Sequence, residues 1–261
     1  MTTPDVPLRL EFSVEVDATP EQVWAAIATA PGLESWFVPT DVEEGVGGSM
    51  VAHMGEMDMP ATIMDWDPPR RLVYEERGWA EAMGYGDADV TPFVSEFLVE
   101  SRAGGTCVVH VVSSAFGTGA DWEQGALDDM AEGWIPFFEH LRIYLTRFAG
   151  QQVRTFELSA KPPGAVMAVR GVMADQLGAG EVGQVVSLDG RSLVVEQLEP
   201  SLLVRTDDPV GGFVRLTAWG TDDDASANVH GYLFDADDAA VEHARKVWGS
   251  WLDDVVAAAT P

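Results

Sequence analysis

From Gly45 to Val112 every ordered segment is patterned as a strand, and the next ordered feature is a single long helix with an aromatic stripe. The strands Ser49 to Met54, Ala61 to Trp66, Arg71 to Glu76, Phe93 to Glu100 and Thr106 to Val112 are separated by Gly, Pro and Asp clusters. Phe93, Ser95, Phe97 and Val99 share one face of their strand, while Glu96 and Glu100 mark the other as wet. Beyond them Leu127, Met130, Trp134, Phe137 or Phe138, Leu141, Tyr144 or Leu145, and Phe148 recur at steps of three and four. A helix striped in this way must cover apolar surface, and the only large one on offer is the inner face of the curved sheet. Pro136 inside the helix removes one backbone hydrogen bond and is expected to bend it.

Upstream, Leu8 to Val16 alternates apolar and polar residues, the signature of a strand with one buried face. It gives way to Thr19 as a candidate N-cap, Pro20 at the first helical position and Gln22 completing a capping box. Pro31-Gly32 ends that helix, and Leu33 to Phe37 reads as a second short helical turn presenting Trp36 and Phe37. The order of strand, two short helices, antiparallel strands and one long terminal helix is an α+β arrangement.

The chain has 261 residues, more than the roughly 100–200 of a usual single domain. Two domains are therefore expected, residues 1–149 and 153–261, divided around Ala149-Gly150-Gln151-Gln152. With 43 acidic residues against 15 basic ones, the net charge is -28. So negative a surface repels nucleic-acid phosphates, which excludes nucleic acid as a partner, and it disfavours anionic membranes. No apolar run approaches the roughly 18–20 residues of a membrane span, and Met1 to Pro7 lacks the features of a signal peptide, so a cytoplasmic protein is expected. Cys107 is the only cysteine, which excludes an intrachain disulfide and a cysteine-rich zinc site. Buried packing is its expected role.

Several motifs in family order give the first half a resemblance. They are Ala18-Thr19-Pro20-Glu21-Gln22-Val23-Trp24, Pro31-Gly32-Leu33-Glu34-Ser35-Trp36-Phe37, Asp67-Pro68-Pro69-Arg70-Arg71-Leu72-Val73-Tyr74, Gly104-Gly105-Thr106, Phe116-Gly117 and Gly133-Trp134. The segment from Leu8 to Phe148 resembles the SRPBCC or START-like superfamily, within it the Aha-type branch named for the activator of the heat-shock-protein ATPase. The resemblance implies the helix-grip fold, a curved antiparallel sheet wrapped around a long carboxyl-terminal helix. It leaves function open among binders, cyclases and co-chaperone pieces built on one scaffold. Where many relatives read His-Ser-Gly-Phe, this chain reads Ser113-Ser114-Ala115-Phe116, so no mechanism that uses that imidazole carries over.

The second half reads as a shortened, degenerate copy. Val153 to Leu158 serves as the opening strand, and Pro162-Pro163-Gly164 with Val166, Met167 and Val169 stands for the first helix. Gln197-Leu198-Glu199-Pro200 echoes Trp66-Asp67-Pro68-Pro69, Phe213 to Trp219 and Asn228 to Phe234 form a hairpin around Asp222-Asp223-Asp224, and Ala239 to Ala258 is the terminal helix. No counterpart of the Trp36-Phe37 turn is present, so this copy has less room for a cavity and is expected to pack or to form a homodimer.

Nucleophile elbows, zinc-protease motifs, phosphate loops and dinucleotide fingerprints are absent from the sequence, so no cofactor and no metal is expected. The expected site is a cavity between sheet and helix in the first copy, lined by Trp36, Phe37, Phe97, Trp134 and Phe138, with Phe137 and Leu141 from the same helix. Met50 belongs with Met54, Met57, Met59, Met64 and Met83, a group of flexible side chains suited to varied apolar shapes. Tyr74, Ser95 and His110 are the candidate polar handles; alternation puts His110 on one face with Thr106, Val108 and Val112, and the family resemblance implies that this face is turned inward. Glu56 and Asp58 read as an exposed hairpin tip, and Trp79 to Pro92 as a long lid or binding loop. Binding of a small apolar molecule ranks first, a protein-interaction module second and an aromatase or cyclase third. The last requires a titrating group in the cavity, either His110 or a carboxylate not yet recognised.

Overall fold

The computed structural model describes residues 5–55, 57–82, 84–86, 90–208, 210–221 and 224–259. Glu56 of the hairpin tip, Met83 of the methionine group, and Asp222 and Asp223 of the acidic turn lie outside the described residues. The chain divides into two compact units, Met1–Gly150 and Gln151–Pro261.

In the first unit, β1 (Val6–Val16) leads into α1 (Pro20–Ala28) and α2 (Ala30–Glu34). Then follow β2 (Thr40–Val42), β3 (Ser49–Met54), β4 (Met57–Asp67), β5 (Arg71–Glu76), the one-turn α3 (Trp79–Ala82), β6 (Phe93–Ser101) and β7 (Cys107–Gly117). The terminal helix α4 (Asp121–Ile143) runs through the buried Pro136 as one element and ends in a π-helical turn, Tyr144–Phe148. The sheet order is β1-β7-β6-β5-β4-β3-β2, so the first strand closes on the last and the rest is an antiparallel meander.

Local chemistry explains the joints. The capping box forms as the sequence requires, with the Gln22 backbone nitrogen donating to Thr19 Oγ1 at 3.3 Å and Thr19 N to Gln22 Oε1 at 2.9 Å. Helix α4 has alanine at its N-cap, and the buried Glu123 carboxylate does the capping from within. It accepts from Thr118 N at 2.7 Å, Thr118 Oγ1 at 3.0 Å and Gly119 N at 2.9 Å, which fixes how the helix leaves β7.

The second unit repeats this plan with fewer parts: β8 (Val153–Ala160), α5 (Val166–Leu177), β9 (Val185–Leu188), β10 (Arg191–Gln197), β11 (Leu202–Thr206), β12 (Gly212–Thr221), β13 (Asp224–Phe234) and α6 (Asp238–Ala259). Its sheet order, β8-β13-β12-β11-β10-β9, is that of the first unit with one edge strand removed. The repetition reaches individual backbone bonds. In the first unit Gly47 N donates to Ile63 O at 2.8 Å and Ile63 N to Gly48 O at 2.9 Å; in the second Gly183 N donates to Val195 O at 2.7 Å and Val195 N to Gln184 O at 2.9 Å. Each pairing needs a glycine at positive φ, 84° at Gly47 and 85° at Gly183. Each also precedes a bulge, Ile63/Asp65 in β4 and Val195/Gln197 in β10. The chain is thus a tandem pair of helix-grip units, the second degenerate.

What the second unit lacks is a counterpart of α2 and β2, since one helix of 12 residues ends at Gly178 and leads directly into the turn before β9. Its terminal helix buries Ala244, Trp248, Trp251, Leu252 and Val255. A gap of about 30 Å³ lies between α6 and the sheet beside Ala244 and Trp248. A larger hollow of about 280 Å³ lies outside that grip, beside α5 and the segment from Leu198 to Leu202.

Candidate functional site

The first unit holds a cavity of about 260 Å³ between the concave face of its sheet and α4. Its base is built where α1, the turn after α2 and α4 meet. Trp36 is 1% exposed; its indole nitrogen donates to Ala26 O at 2.9 Å, and its own carbonyl accepts from Nδ1 of the buried His140 at 3.1 Å. That double tie gives the indole a single position. Phe37 lies next to it, its ring parallel to Trp134 with centroids 5.1 Å apart, and edge-on to Phe137 at 4.8 Å.

The sheet supplies Tyr74 from β5, stacked on Phe97 of β6 at 6.0 Å, and Met50 and Ala52 from β3. Met54, Met57 and Gly133 both border the cavity and are exposed, so they form its mouth. Helix α3 contributes Trp79 and Ala82. The segment read as a loop therefore includes a buried, anchored aromatic, since Trp79 Nε1 donates to Thr91 O at 3.0 Å and its ring packs near Phe93 and Trp122.

Of the residues singled out from sequence, Trp36, Phe37, Met50, Tyr74, Phe97, Trp134 and Phe137 border the cavity. Ser95 lies one layer behind: it is buried, bonded to the Tyr74 hydroxyl, and its Oγ is 2.8 Å from Ser113 Oγ. Ser113, the position that holds histidine in many relatives, thus points inward. Phe138 packs on Phe12 at 5.0 Å and on Trp134 at 5.7 Å, on the flank of α4 away from the cavity, and the fully buried Leu141 is plain core.

His110 faces the other way. The buried residues of β7 are Cys107, Val109, Val111, Ser113, Ala115 and Gly117, and β6 sets Leu98, itself 39% exposed, opposite His110. The imidazole sits on the outer face, with Nδ1 2.8 Å from Ser13 Oγ and Nε2 3.3 Å from Glu100. Valine at both parities left the phase of this strand undetermined from its own pattern, and the pairing with β6 decides it. Asp58, at the hairpin tip, pairs with the half-buried His53 at 2.7 Å.

The carboxylate that sequence reasoning missed is Glu76. It borders the cavity from the end of β5, and burial pushes its pKa up to about 7. The same burial, with Glu76 nearby, raises the Tyr74 phenol far above its usual range. The signal was available: Leu72, Tyr74 and Glu76 alternate onto one face, and Tyr74 had already been placed inside. The folded chain holds this proton up to about pH 7, whereas the unfolded chain releases it near 4.5. Stability from this group is therefore full below the lower value and lost as pH rises through the upper one. Glu76→Gln should flatten that loss in thermal melts taken between about pH 5 and pH 8. An unchanged slope would mean that the carboxyl is solvated.

Among the described residues no group of three or more His, Cys, Asp or Glu side chains could hold a metal ion, and no helix is long and apolar enough to cross a membrane. Residues 17–146 match the family described as Activator of Hsp90 ATPase homolog 1-like protein. No curated protein matches the sequence. Among solved structures, the chain is similar to the Aha1 dimer from Colwellia psychrerythraea at 17% identity and a TM-score of 0.44, over 55% of this chain and 99% of that one. It is also similar to the di-domain ARO/CYC BexL from the BE-7585A biosynthetic pathway, at 15% identity and a TM-score of 0.43 over 97% of both chains. A third is DynU16 of the dynemicin biosynthetic locus, at 14% identity and a TM-score of 0.42, again over 97% of both. The first unit belongs to the Aha1-like family of the SRPBCC superfamily, and the second repeats its topology in shortened form.

Proposed function

We propose that the first unit binds a small, mostly apolar molecule in the cavity between its sheet and α4. The observation that carries this reading is the wall itself: seven aromatic residues and five methionines border a space of about 260 Å³. Ligand pockets of about 300–1,000 Å³ suit drug-sized molecules, so the occupant is compact. Binding fits the rigid base at Trp36 and the pliable mouth at Met54 and Met57, where thioethers adapt to different shapes. The test is uptake of the neutral probe N-phenyl-1-naphthylamine by the full chain, with native mass spectrometry for a co-purified molecule. Saturable, blue-shifted emission at one site per chain is the expected result; no uptake and no adduct would end the reading.

Catalysis of the aromatase or cyclase type is the second reading, favoured by Glu76. A carboxyl that titrates near neutral pH inside an apolar space is suited to general acid–base work. The second unit, whose grip is filled, has a structural or homodimer-forming role in this proposal, and its Trp219, 62% exposed, is a candidate contact. Subunit mass from the same native spectrum tests it. A cytoplasmic setting accords with the single, buried Cys107.

A further inference from the structure

An apolar ligand alone leaves Glu76 unexplained. Among the described residues it is the only acidic one in the cavity wall, and none of the described lining residues is Arg, Lys or His. It is half-buried, and among the described residues it has no hydrogen-bond or ion-pair partner, so its surroundings raise its pKa by desolvation alone, with no charge to offset them. The adjacent strands set Ala61 and Phe93 across from it, while Trp79, Met130, Trp134 and Met50 face the same space from α3, α4 and β3. None of these titrates. Tyr74, on the same strand, is the other ionisable group in the wall, and its hydroxyl is engaged by Ser95. Glu75 is paired with Arg77 at 2.7 Å and offers Glu76 nothing.

A lone carboxyl in such a place is costly unless something satisfies it. An anionic ligand would meet that carboxyl, no compensating cation, and a chain of net charge -28. A wholly apolar ligand would remove the remaining water and leave Glu76 worse off. A cation satisfies the carboxylate, and the surrounding rings add to its attraction, because their faces carry negative charge density.

We propose that the cavity takes a compact apolar molecule bearing one basic nitrogen, seated in an ion pair with Glu76 and against the faces of the neighbouring aromatic rings. This rests on the apolar-cavity reading and adds the class of ligand. The test uses three probes that share one skeleton, 2-naphthylmethylamine, 2-naphthylmethanol and 2-naphthoate, titrated by calorimetry into the full chain and into Glu76→Gln. At about pH 8 the amine should bind the native chain about tenfold or more tighter than the alcohol, the gain of a charge-assisted over a neutral hydrogen bond. Naphthoate should bind weakest. The preference for the amine should vanish in Glu76→Gln, and should shrink in the native chain at about pH 5.5, where the carboxyl holds its proton.

Equal binding of amine and alcohol by the native chain, or an amine preference that survives in Glu76→Gln, would overturn the ligand class and leave the apolar cavity standing. Failure of all three probes to bind would overturn the cavity reading and this inference with it. If circular dichroism shows Glu76→Gln unfolded, the native chain's preference at the two pH values decides alone.

Discussion

Trp36→Ala should lower the stability of the first unit by about 3–5 kcal/mol, the range for removing a large buried aromatic. Although the indole borders the cavity, it is 1% exposed and tied between α1 and α4, so its removal takes out contacts that the half-buried Trp134 does not make. It also leaves Ala26 O, deep in the fold, without its indole donor. Set against a typical margin of about 5–15 kcal/mol, that is a large share. Trp134→Ala should cost clearly less. Its ring already borders empty space and stacks on Phe37 and Phe138 without filling a core position, so truncation enlarges a hollow instead of creating one. Urea denaturation followed by far-ultraviolet circular dichroism separates the two. Equal shifts in midpoint would mean that Trp134 is packed core and that the cavity is smaller than described.

The elements legible in the sequence were those whose signals are local. Thr19 and Gln22 specify a cap through four residues, and the strand pairs of the first unit announce themselves through period-two runs between glycines and prolines. The extent of α6 was legible too, read as Ala239 to Ala258 and found at Asp238–Ala259. His110 was misplaced because Val108, Val109, Val111 and Val112 are apolar at both parities, so the facing strand, not the residue itself, sets its side. Phe138 and Leu141 were assigned to the cavity because a helical stripe does not reveal which of its flanks meets a void and which meets β1. Strands β9 and β10 went unassigned, since Val185–Leu188 is too short to show a period. Glu76 was overlooked for a different reason. A charged residue at a strand end reads as solvent-facing by default, and only the packing of α3 and α4 near that edge draws it partly out of water.

The two units show what one topology does with different filling. In the second, Trp248 and Trp251 project from α6 into the grip and pack edge to face at 5.4 Å, and little space is left. In the first, the corresponding helix carries Gly133 and Met130 where it faces the sheet, and the aromatics Trp134 and Phe137 stand to one side of a gap. The space is thus a consequence of side-chain choice on the terminal helix, and one substitution there should close it.

Gly133→Leu is that substitution. Gly133 borders the cavity, is exposed at its mouth, and a Cβ added there meets no atom within 4 Å, so the new side chain has open space to occupy. Glycine inside a helix costs about 1 kcal/mol relative to alanine, and leucine is nearly as good a helix former as alanine. The variant should therefore be more stable by about 0.5–1 kcal/mol, while a side chain of four carbons across the mouth should cut N-phenyl-1-naphthylamine uptake by about tenfold or more. Gly133→Ala supplies the control: it should carry most of the stability gain with little loss of uptake, because a methyl group does not span the opening. The opposite signs make the pair informative, since a misfolded variant would lose both properties together. Thermal melts and probe titrations on the three proteins read the result, and a Gly133→Leu chain that is stabilised yet binds the probe as the native chain does would show that the probe sits elsewhere.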